Sequence, residues 1–273
     1  MPRTTARFNE DSHEIVEGST ESGLVFLCDH ATARIPAEYA GLGLDPRELE
    51  RHIAYDIGAE TVTRSLARHF DAPAVLSRFS RLLIDPNRGE DDPTLVMRIA
   101  DGAIIPGNAT ITPDEIRRRI DRFYRPYDVA IDTTLSAIAA TGQPPIVVAM
   151  HSFTPEMKGV KRPWHVTVIW DFDPRLNRRL LDSLAGDQEL IVGENEPYQG
   201  GYAGDTIDRH CLGTGYAHVL IEIRQDLIAT PENAEAWGDR LARHLRPLVS
   251  HPDLREVRRF GAHPQPRSRG KRP

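Results

Sequence analysis

The sequence predicts a three-layer α/β protein in which a mixed, mostly parallel sheet has helices on both faces. Three observations support this prediction. Strand-like and helical segments alternate along the chain, several strand-like segments are apolar throughout, and no internal repeat is present. Strands that are apolar on both sides are typical of sheets covered by helices on both faces. In such sheets, functional side chains gather beyond the carboxyl ends of the strands.

Six segments have the short, β-branched and apolar composition of strands. They are residues 23–29, 73–77, 81–85, 145–150, 164–170 and 218–224. Four helices are indicated by a capping residue followed by proline. Their capping residues are Asp45, Thr112, Asp173 and Thr230. The first helix is expected to continue to Phe70 and the second to about Ala140.

Length and composition set the expected domain organisation. The chain has 273 residues, of which 40% are hydrophobic, and this is enough for one large domain. We expect a single catalytic domain at residues 21–250, preceded by an N-terminal extension at residues 1–20. Residues 251–273 are basic and lack periodicity, which predicts a disordered tail.

Charge and hydropathy argue against several classes of partner. The formal net charge of −6 is not typical of a nucleic-acid-binding protein, and no apolar run is long enough to span a membrane. The N-terminus lacks the apolar core of a secretory signal, and two cysteines do not form a disulfide framework. We therefore expect a cytoplasmic protein that acts on a small molecule, without a nucleic-acid or membrane partner.

Reactive side chains follow four of the predicted strands. In chain order they are Asp29 and His30, then Asp85, Asn87 and Arg88, then His151 and Ser152, and finally Glu222, Arg224 and Asp226. A single histidine at a strand end is in most proteins a hydrogen-bonded turn residue. Two histidines, several carboxylates and an arginine at one edge of a sheet indicate a shared site.

These residue types fit metal-assisted hydrolysis. Catalytic zinc takes about three protein ligands from histidine and carboxylate, and a separate glutamate serves as general base. His30 and His151 are the predicted imidazole ligands. The third ligand is either Asp56, expected on the first helix between apolar neighbours, or Asp29 beside His30, with Glu60 a weaker candidate.

The candidate general base is Glu222, which lies in the apolar run VLIEI. A carboxylate there is costly unless it is paired or functional. The alternative is a structural ion pair with Arg224, because strand alternation puts both side chains on the same face.

Seven short motifs, taken in order, resemble those of the N-formylglutamate amidohydrolases. The resemblance covers roughly residues 22–245, and the motifs read CDHATARIP, HIAYDIGAE, SRLLIDPNR, RFYRPYD, MHSFTP, NEPYQGGYAGDT and VLIEIRQDL. The resemblance implies a fold related to the zinc carboxypeptidases and to the zinc amidases of cell-wall turnover. It also implies one divalent metal, zinc, bound by His30, Asp56 and His151, with Glu222 as general base.

Asn87 and Arg88 resemble the carboxypeptidase turn that holds a substrate carboxylate and polarises the scissile carbonyl. Two positions depart from the family pattern. Asp128 stands where a histidine is expected after RPY, and the first motif reads CDHAT where better-known deformylases have a proline and a serine beside the histidine.

The expected reaction is hydrolysis of the amide of an N-formyl or N-acyl amino acid such as N-formylglutamate. The metal would lower the pKa of water towards ~7, Glu222 would transfer the proton, and Arg88 would stabilise the oxyanion. A second arginine would hold a substrate carboxylate. The candidates for that role are Arg78, Arg81 and Arg224. His210, which follows a glycine-rich loop, is a further candidate for substrate contact.

Three other functions remain open from the sequence. A metallopeptidase acting on peptide or cell-wall fragments would use the same residues but needs an open groove rather than a small closed pocket. A non-catalytic small-molecule-binding protein of the same fold would leave Glu222 paired with Arg224. A serine hydrolase using Ser152 is disfavoured, because no G-x-S-x-G motif surrounds that residue.

Overall fold

An eight-stranded mixed sheet forms the centre of the protein in a computed structural model, which describes residues 3–4, 7–9, 11–261 and 263. The strands, in chain order, are β1 (Arg3–Thr4), β2 (Arg7–Asn9), β3 (His13–Val16), β4 (Gly18–Ser19), β5 (Leu24–Cys28), β6 (Ala74–Ser77), β7 (Ile99–Ala100), β8 (Ala103–Ile104), β9 (Ile146–Phe153), β10 (Glu156–Met157), β11 (Val160–Lys161), β12 (Val166–Ile169), β13 (Val192–Glu194) and β14 (Ala217–Arg224). The central sheet has the order β13-β12-β14-β9-β5-β6-β3-β2, and the remaining strands form two-stranded ribbons.

The middle of the sheet is parallel and its margins contain the antiparallel pairs. Strands β14, β9, β5 and β6 pair in parallel, as do β12 and β13. Strand β12 is antiparallel to β14, and the β6–β3 and β3–β2 pairs are antiparallel as well. The carboxyl ends of β5, β9 and β14 therefore point to one edge of the sheet.

The helices are α1 (Ala59–Phe70), α2 (Pro106–Ala109), α3 (Pro113–Arg119), α4 (Arg125–Ala139), α5 (Pro174–Ala185) and α6 (Pro231–Leu248). A π-helical turn at Ile120–Tyr124 joins α3 to α4. None of the helices in the described ranges combines the length and the apolar character that a membrane span requires.

Two apolar cores lie on opposite faces of the sheet. Phe26 and Val148 of the central strands point to one face, where they share a core with residues of α1, α5 and α6. Leu27 and Val147, one position along each strand, point to the other face and share a core with residues of α4. The three-layer architecture with helices on both faces is confirmed.

The predicted strand at residues 81–85 is wrong, and the chain forms a turn there. Its apolar side chains are buried, which explains the strand-like composition. Its carbonyl groups are bound by side chains instead of a neighbouring strand, because Asn108 donates to the Leu82 oxygen at 2.8 Å and Arg119 donates to the Leu83 oxygen at 2.8 Å. The other five predicted strands are present.

The first predicted helix is also wrong over its first half. Residues Pro46–Glu50 form a 3₁₀ turn, a loop follows, and α1 begins only at Ala59. Gly58 ends the loop with φ +80°, and a Cβ atom there would lie 2.1 Å from the Ile228 carbonyl oxygen. This left-handed residue separates the two segments, so Asp56 lies in a loop and not on the helix. The helices predicted from Thr112, Asp173 and Thr230 are confirmed.

Both chain ends contribute more structure than the sequence indicates. The expected N-terminal extension supplies β3, which pairs with β6 in the central sheet. The expected disordered tail begins with an ordered segment, since Leu254 is fully buried and Arg255 donates to the carbonyl oxygens of Ser22 and Gly23 at 3.0 and 2.9 Å. Residue 262 and residues 264–273 of that tail lie outside the described residues.

We expect Gly58→Ala to destabilise the protein by about 3 kcal/mol, because left-handed strain adds to a clash with the Ile228 carbonyl. Gly102→Ala is the matched control, since Gly102 has the same φ of +80° and no heavy atom within 4 Å of the added Cβ. It should cost only about 1 kcal/mol of strain. Urea unfolding measures both values, and equal losses would contradict the proposed role of the close approach.

Candidate active site

Two histidines and an aspartate, residue types that can bind a metal ion, converge at the carboxyl edge of β5 and β9. The Nδ1 atoms of His30 and His151 lie 3.2 and 2.8 Å from the Asp56 Oδ2 atom. One ligand atom from each of the three residues lies within 4.8 Å of the other two, and all three residues are buried. Two imidazoles and a carboxylate are the donor set of catalytic zinc sites, so this group could bind a metal ion.

Backbone contacts fix the positions of these three residues. His30 follows β5, and its carbonyl oxygen accepts a hydrogen bond from the Asp56 amide at 2.9 Å. His151 lies inside β9, which continues to Phe153 and does not end at the histidine as the sequence indicates. The parallel register aligns His151 with Glu222 of β14, so the proposed ligand and the proposed base are neighbours across two strands.

Each imidazole faces another carboxylate on its far side, and that of His30 is hydrogen-bonded to it. The Nε2 atom of His30 lies 2.7 Å from Asp85 Oδ1, and the Nε2 atom of His151 lies 3.3 Å from Asp29 Oδ2. Such outer carboxylates set the orientation of metal-binding histidines. Between the two rival third ligands, the structure therefore places Asp56 with the Nδ1 atoms and Asp29 on the opposite side of His151.

Asp29 is itself fixed by Tyr127, whose hydroxyl donates to Asp29 Oδ1 at 2.8 Å. The weaker candidate Glu60 does not approach the group; it forms an ion pair with Arg64 at 2.8 Å. The sequence signals for the outer carboxylates are present, because Asp29 adjoins His30 and Asp85 precedes Asn87. Their role in orienting the imidazoles becomes evident only from the three-dimensional positions of His30 and His151.

The electrostatics of the group follow from its burial and its internal pairing. Burial alone would raise the pKa of Asp85, but Arg81 and His30 outweigh burial and hold that pKa well below its usual range. Burial likewise opposes ionisation of Asp56, and the two histidines outweigh it, so the pKa of Asp56 is also lowered. Both carboxyl groups are therefore anionic at neutral pH.

Glu222 is in a different electrostatic position. Burial raises its pKa to about 7, with a further increase from Asp56 that His151 and Arg81 oppose. Its Oε2 atom is buried and has no hydrogen-bond partner among the described residues. The ion pair with Arg224 is not formed, because Arg224 binds Asp226 at 2.8 Å and lies outside the cavity. Glu222 is thus a buried carboxyl group that no structural partner explains.

A cavity of about 190 Å³ opens above these residues. Its lining comprises His30, Asp56, Arg81, Asn87, Arg88, His151, Ser152, Ile169, Tyr198, Gln199, Gly201, Tyr202, Asp205, Leu220 and Glu222. One wall is the turn that contains Asn87 and Arg88, and the other comes from the glycine-rich loop at residues 198–205. The tyrosines of that loop had no predicted role.

The two arginines in the cavity differ in their pairing. Arg81 donates to Asp85 Oδ2 at 2.8 Å and lies 3.5 Å from Asp56 Oδ1. Arg88 lies with its guanidinium 5.0 Å from the centre of the Tyr202 ring, and no carboxylate of the described residues forms an ion pair with it. Arg88 is therefore the guanidinium that remains available to an anion in the cavity.

Two further candidates for substrate contact lie outside the cavity. Arg78 faces Glu14 and Glu60 at 3.6 and 3.3 Å. His210 is buried between two carboxylates of α4, with Nε2 2.8 Å from Asp128 and Nδ1 2.8 Å from Asp132. The Asp128 position, which departs from the family pattern, thus belongs to this second cluster and not to the cavity wall.

A mixed sheet with a His–Asp–His group and a buried glutamate at its carboxyl edge is an arrangement typical of α/β metallohydrolases. The family model described as N-formylglutamate amidohydrolase matches residues 22–229. The chain belongs to the N-formylglutamate amidohydrolase family.

Two solved structures share the fold of this chain. The gene product Atu2144 from Agrobacterium tumefaciens is 32% identical, with a TM-score of 0.83 over 89% of this chain and 96% of that chain. The N-formylglutamate amidohydrolase from Ralstonia eutropha JMP134 is 21% identical, with a TM-score of 0.60 over 82% of this chain and 94% of that chain, and shows a shared fold. A search of curated proteins found no match.

We expect Asp85→Asn to weaken zinc binding by about 10- to 100-fold, because the amide keeps the shape of Asp85 but removes the charge that polarises His30. Competition with a chromophoric chelator measures the affinity. Asp226→Asn is the control, since Asp226 also pairs with an arginine, Arg224, but is not among the contacts of His30. Unchanged affinity in Asp85→Asn would contradict the role given to the outer carboxylate.

His210 should make stability depend on pH. Burial lowers its pKa, but the hydrogen bonds that the ring donates to Asp128 and Asp132 outweigh burial and raise the pKa above its usual value. A raised folded-state pKa stabilises the protein below about pH 6.5, and that contribution is lost as the pH rises through the folded-state value. His210→Gln should therefore lower the unfolding free energy more at about pH 5.5 than at about pH 9, as urea titrations can measure. An equal loss at both pH values would rule out a charged His210.

Proposed function

We propose that the protein is a metal-dependent amidohydrolase that cleaves the amide of an N-formyl or N-acyl amino acid such as N-formylglutamate. The observation that supports this most strongly is Glu222, a buried carboxyl group with an unpartnered oxygen, in the same small cavity as the His–Asp–His group. A buried carboxyl group is costly without a partner. A catalytic role accounts for its presence.

The residues present fit a divalent metal. His30, Asp56 and His151 offer two imidazole nitrogens and a carboxylate, and Asp85 and Asp29 support the two rings from behind. Zinc is the metal that this donor set favours. When bound there, it supplies a Lewis acid that acidifies water and polarises an amide carbonyl.

Glu222 is the proposed general base and acid. Its pKa of about 7 lies close to neutral pH, where a group can both accept and release a proton efficiently. It would take a proton from water and deliver one to the leaving nitrogen. Leu220 and Ile169, which pair across β14 and β12, give the cavity an apolar surface on the strands beside Glu222.

Arg88 and Asn87 are the proposed substrate-binding residues. The Arg88 guanidinium is not neutralised by a carboxylate of the described residues, so it can bind a substrate carboxylate or stabilise the oxyanion. Arg81 also lines the cavity, but its two ion pairs make it a support for Asp56 and Asp85. If Arg81 contacts the substrate, it does so while it is paired with Asp56 and Asp85.

The size of the cavity favours an amino-acid derivative over a peptide. A volume of about 190 Å³ is below the roughly 300–1,000 Å³ of sites that bury drug-sized ligands. A carboxypeptidase-like enzyme that acts on cell-wall or peptide fragments would need a longer groove. A Glu222–Arg224 ion pair would have supported the non-catalytic alternative, but within the described residues Arg224 pairs with Asp226 instead.

We expect wild-type protein to contain about one zinc per chain and to hydrolyse N-formyl-L-glutamate. Glu222→Gln should retain the metal and lose at least about 1,000-fold in kcat, because the amide cannot accept the proton. His151→Ala should lose both metal and activity. Elemental analysis and formate release, measured on the same samples, give the two readouts.

Glu194→Gln is the control for a change of charge, because Glu194 is an exposed residue that pairs with Arg178. It should leave metal content and activity unchanged. Metal without hydrolysis of any N-formyl amino acid would reject the proposed substrate class, and full activity in Glu222→Gln would reject the general base.

A further inference from the structure

Arg209 lies behind the cavity, between the turn that contains Asn87 and Arg88 and the glycine-rich loop. Its side chain is 19% exposed, and its Nε atom donates to Asp128 Oδ1 at 2.9 Å. The remaining nitrogens donate to backbone carbonyls of both segments, reaching the Pro86 oxygen at 2.9 Å, the Arg88 oxygen at 3.3 Å and the Gly204 oxygen. One guanidinium therefore joins the two walls of the cavity.

Tyr124 completes this arrangement from the π-helical turn before α4. Its ring lies 5.0 Å from the Arg209 guanidinium, and its hydroxyl donates to the Arg88 carbonyl oxygen at 2.7 Å. The Arg88 carbonyl thus accepts hydrogen bonds from two side chains. Tyr124 and Arg209 together restrict the rotation of the peptide that directs the Arg88 side chain.

The two cavity walls also touch each other directly. A Cβ atom added to Gly204 would lie 2.7 Å from the Gly89 Cα atom, so the backbones are in contact there. On the other side of this contact, the Thr206 amide donates to Asn87 Oδ1 at 3.0 Å. The turn and the loop therefore form one unit, which Arg209 binds from behind.

We propose that Arg209 is a positioning residue that holds the Asn87–Arg88 turn against the loop at residues 199–205 and so sets the geometry of substrate binding. It does not line the cavity, and it acts through the backbone of Pro86, Arg88 and Gly204. The planar guanidinium provides five donors in fixed directions, and an ammonium group cannot reproduce them. The catalytic consequence rests on the function proposed above; the structural consequence does not.

The test compares Arg209→Lys with Arg175→Lys. Arg175 is the control because it is likewise anchored by an aspartate and likewise donates to several backbone carbonyls. Its four carbonyl acceptors belong to Gly215, Asp253, Glu256 and Arg258, none of which lines the cavity. Both substitutions should destabilise the fold, but only Arg209→Lys should loosen the Asn87–Arg88 turn and the glycine-rich loop.

Hydrogen–deuterium exchange is the first readout, and it requires no activity. In Arg209→Lys, peptides that contain residues 86–89 and the Thr206 amide should exchange at least about tenfold faster than in the wild type. In Arg175→Lys, exchange in these peptides should stay at the wild-type rate. Wild-type protection of both segments in Arg209→Lys would overturn the proposal.

Steady-state kinetics on N-formyl-L-glutamate are the second readout. Arg209→Lys should raise KM about tenfold, because the substrate contacts of the turn are misplaced, and kcat should fall as well if Arg88 contacts the oxyanion. An unchanged KM is the result expected of a purely structural residue, which lowers only the amount of folded enzyme, and it would overturn the proposal. If wild-type protein hydrolyses no N-acyl amino acid, the proposed function fails, and the exchange measurement still decides the role of Arg209.

Discussion

The site depends on one shared carboxylate. Asp56 Oδ2 lies within hydrogen-bonding distance of both imidazole Nδ1 atoms, and the far nitrogens of the two rings face Asp85 and Asp29. Three buried carboxylates in so small a volume repel one another unless positive charge lies between them. Arg81 and the two imidazoles, when protonated, supply that charge, which is why the pKa values of Asp56 and Asp85 are lowered. A divalent cation bound by His30, Asp56 and His151 would take over the part of the imidazoles.

The strand register places the candidate general base, Glu222, beside the His–Asp–His group. Because β9 and β14 pair in parallel with His151 opposite Glu222, the ligand and the base share one edge and one face of the sheet. A shift of one residue would turn Glu222 into the opposite core. On this face of the sheet, α4 covers β5, whereas the glycine-rich loop covers β12 and β14. The cavity lies beneath that loop. Specificity can therefore change with the loop while the sheet keeps the ligands in place.

Much of this could be predicted from the sequence, and the failures have physical causes. The sequence predicts His30, His151 and Glu222 at one edge of the sheet because the carboxyl ends of parallel strands meet there, and the structure brings the three side chains to one cavity. The placement of Asp56 on a helix is wrong because the helix start signal at Asp45 gives no sign of the break at Gly58. At Gly58 the backbone lies against the Ile228 carbonyl, which is distant in the sequence. Arg224 shares a face with Glu222, but two residues advance a strand by about 7 Å, which takes its side chain past the cavity. Contacts between segments far apart in the chain have no local signal.

The most direct test of the account is the anomalous scattering of crystals grown with zinc and measured at energies on either side of the zinc absorption edge. The account predicts one strong anomalous peak in contact with the Nδ1 atoms of His30 and His151 and with the Asp56 carboxylate, next to the Glu222 side chain. A crystal at saturating zinc with no peak there, in which both imidazoles still bind Asp56 directly, would contradict it. The His–Asp–His group would then be a structural hydrogen-bond network, and the metal-dependent mechanism would have no basis.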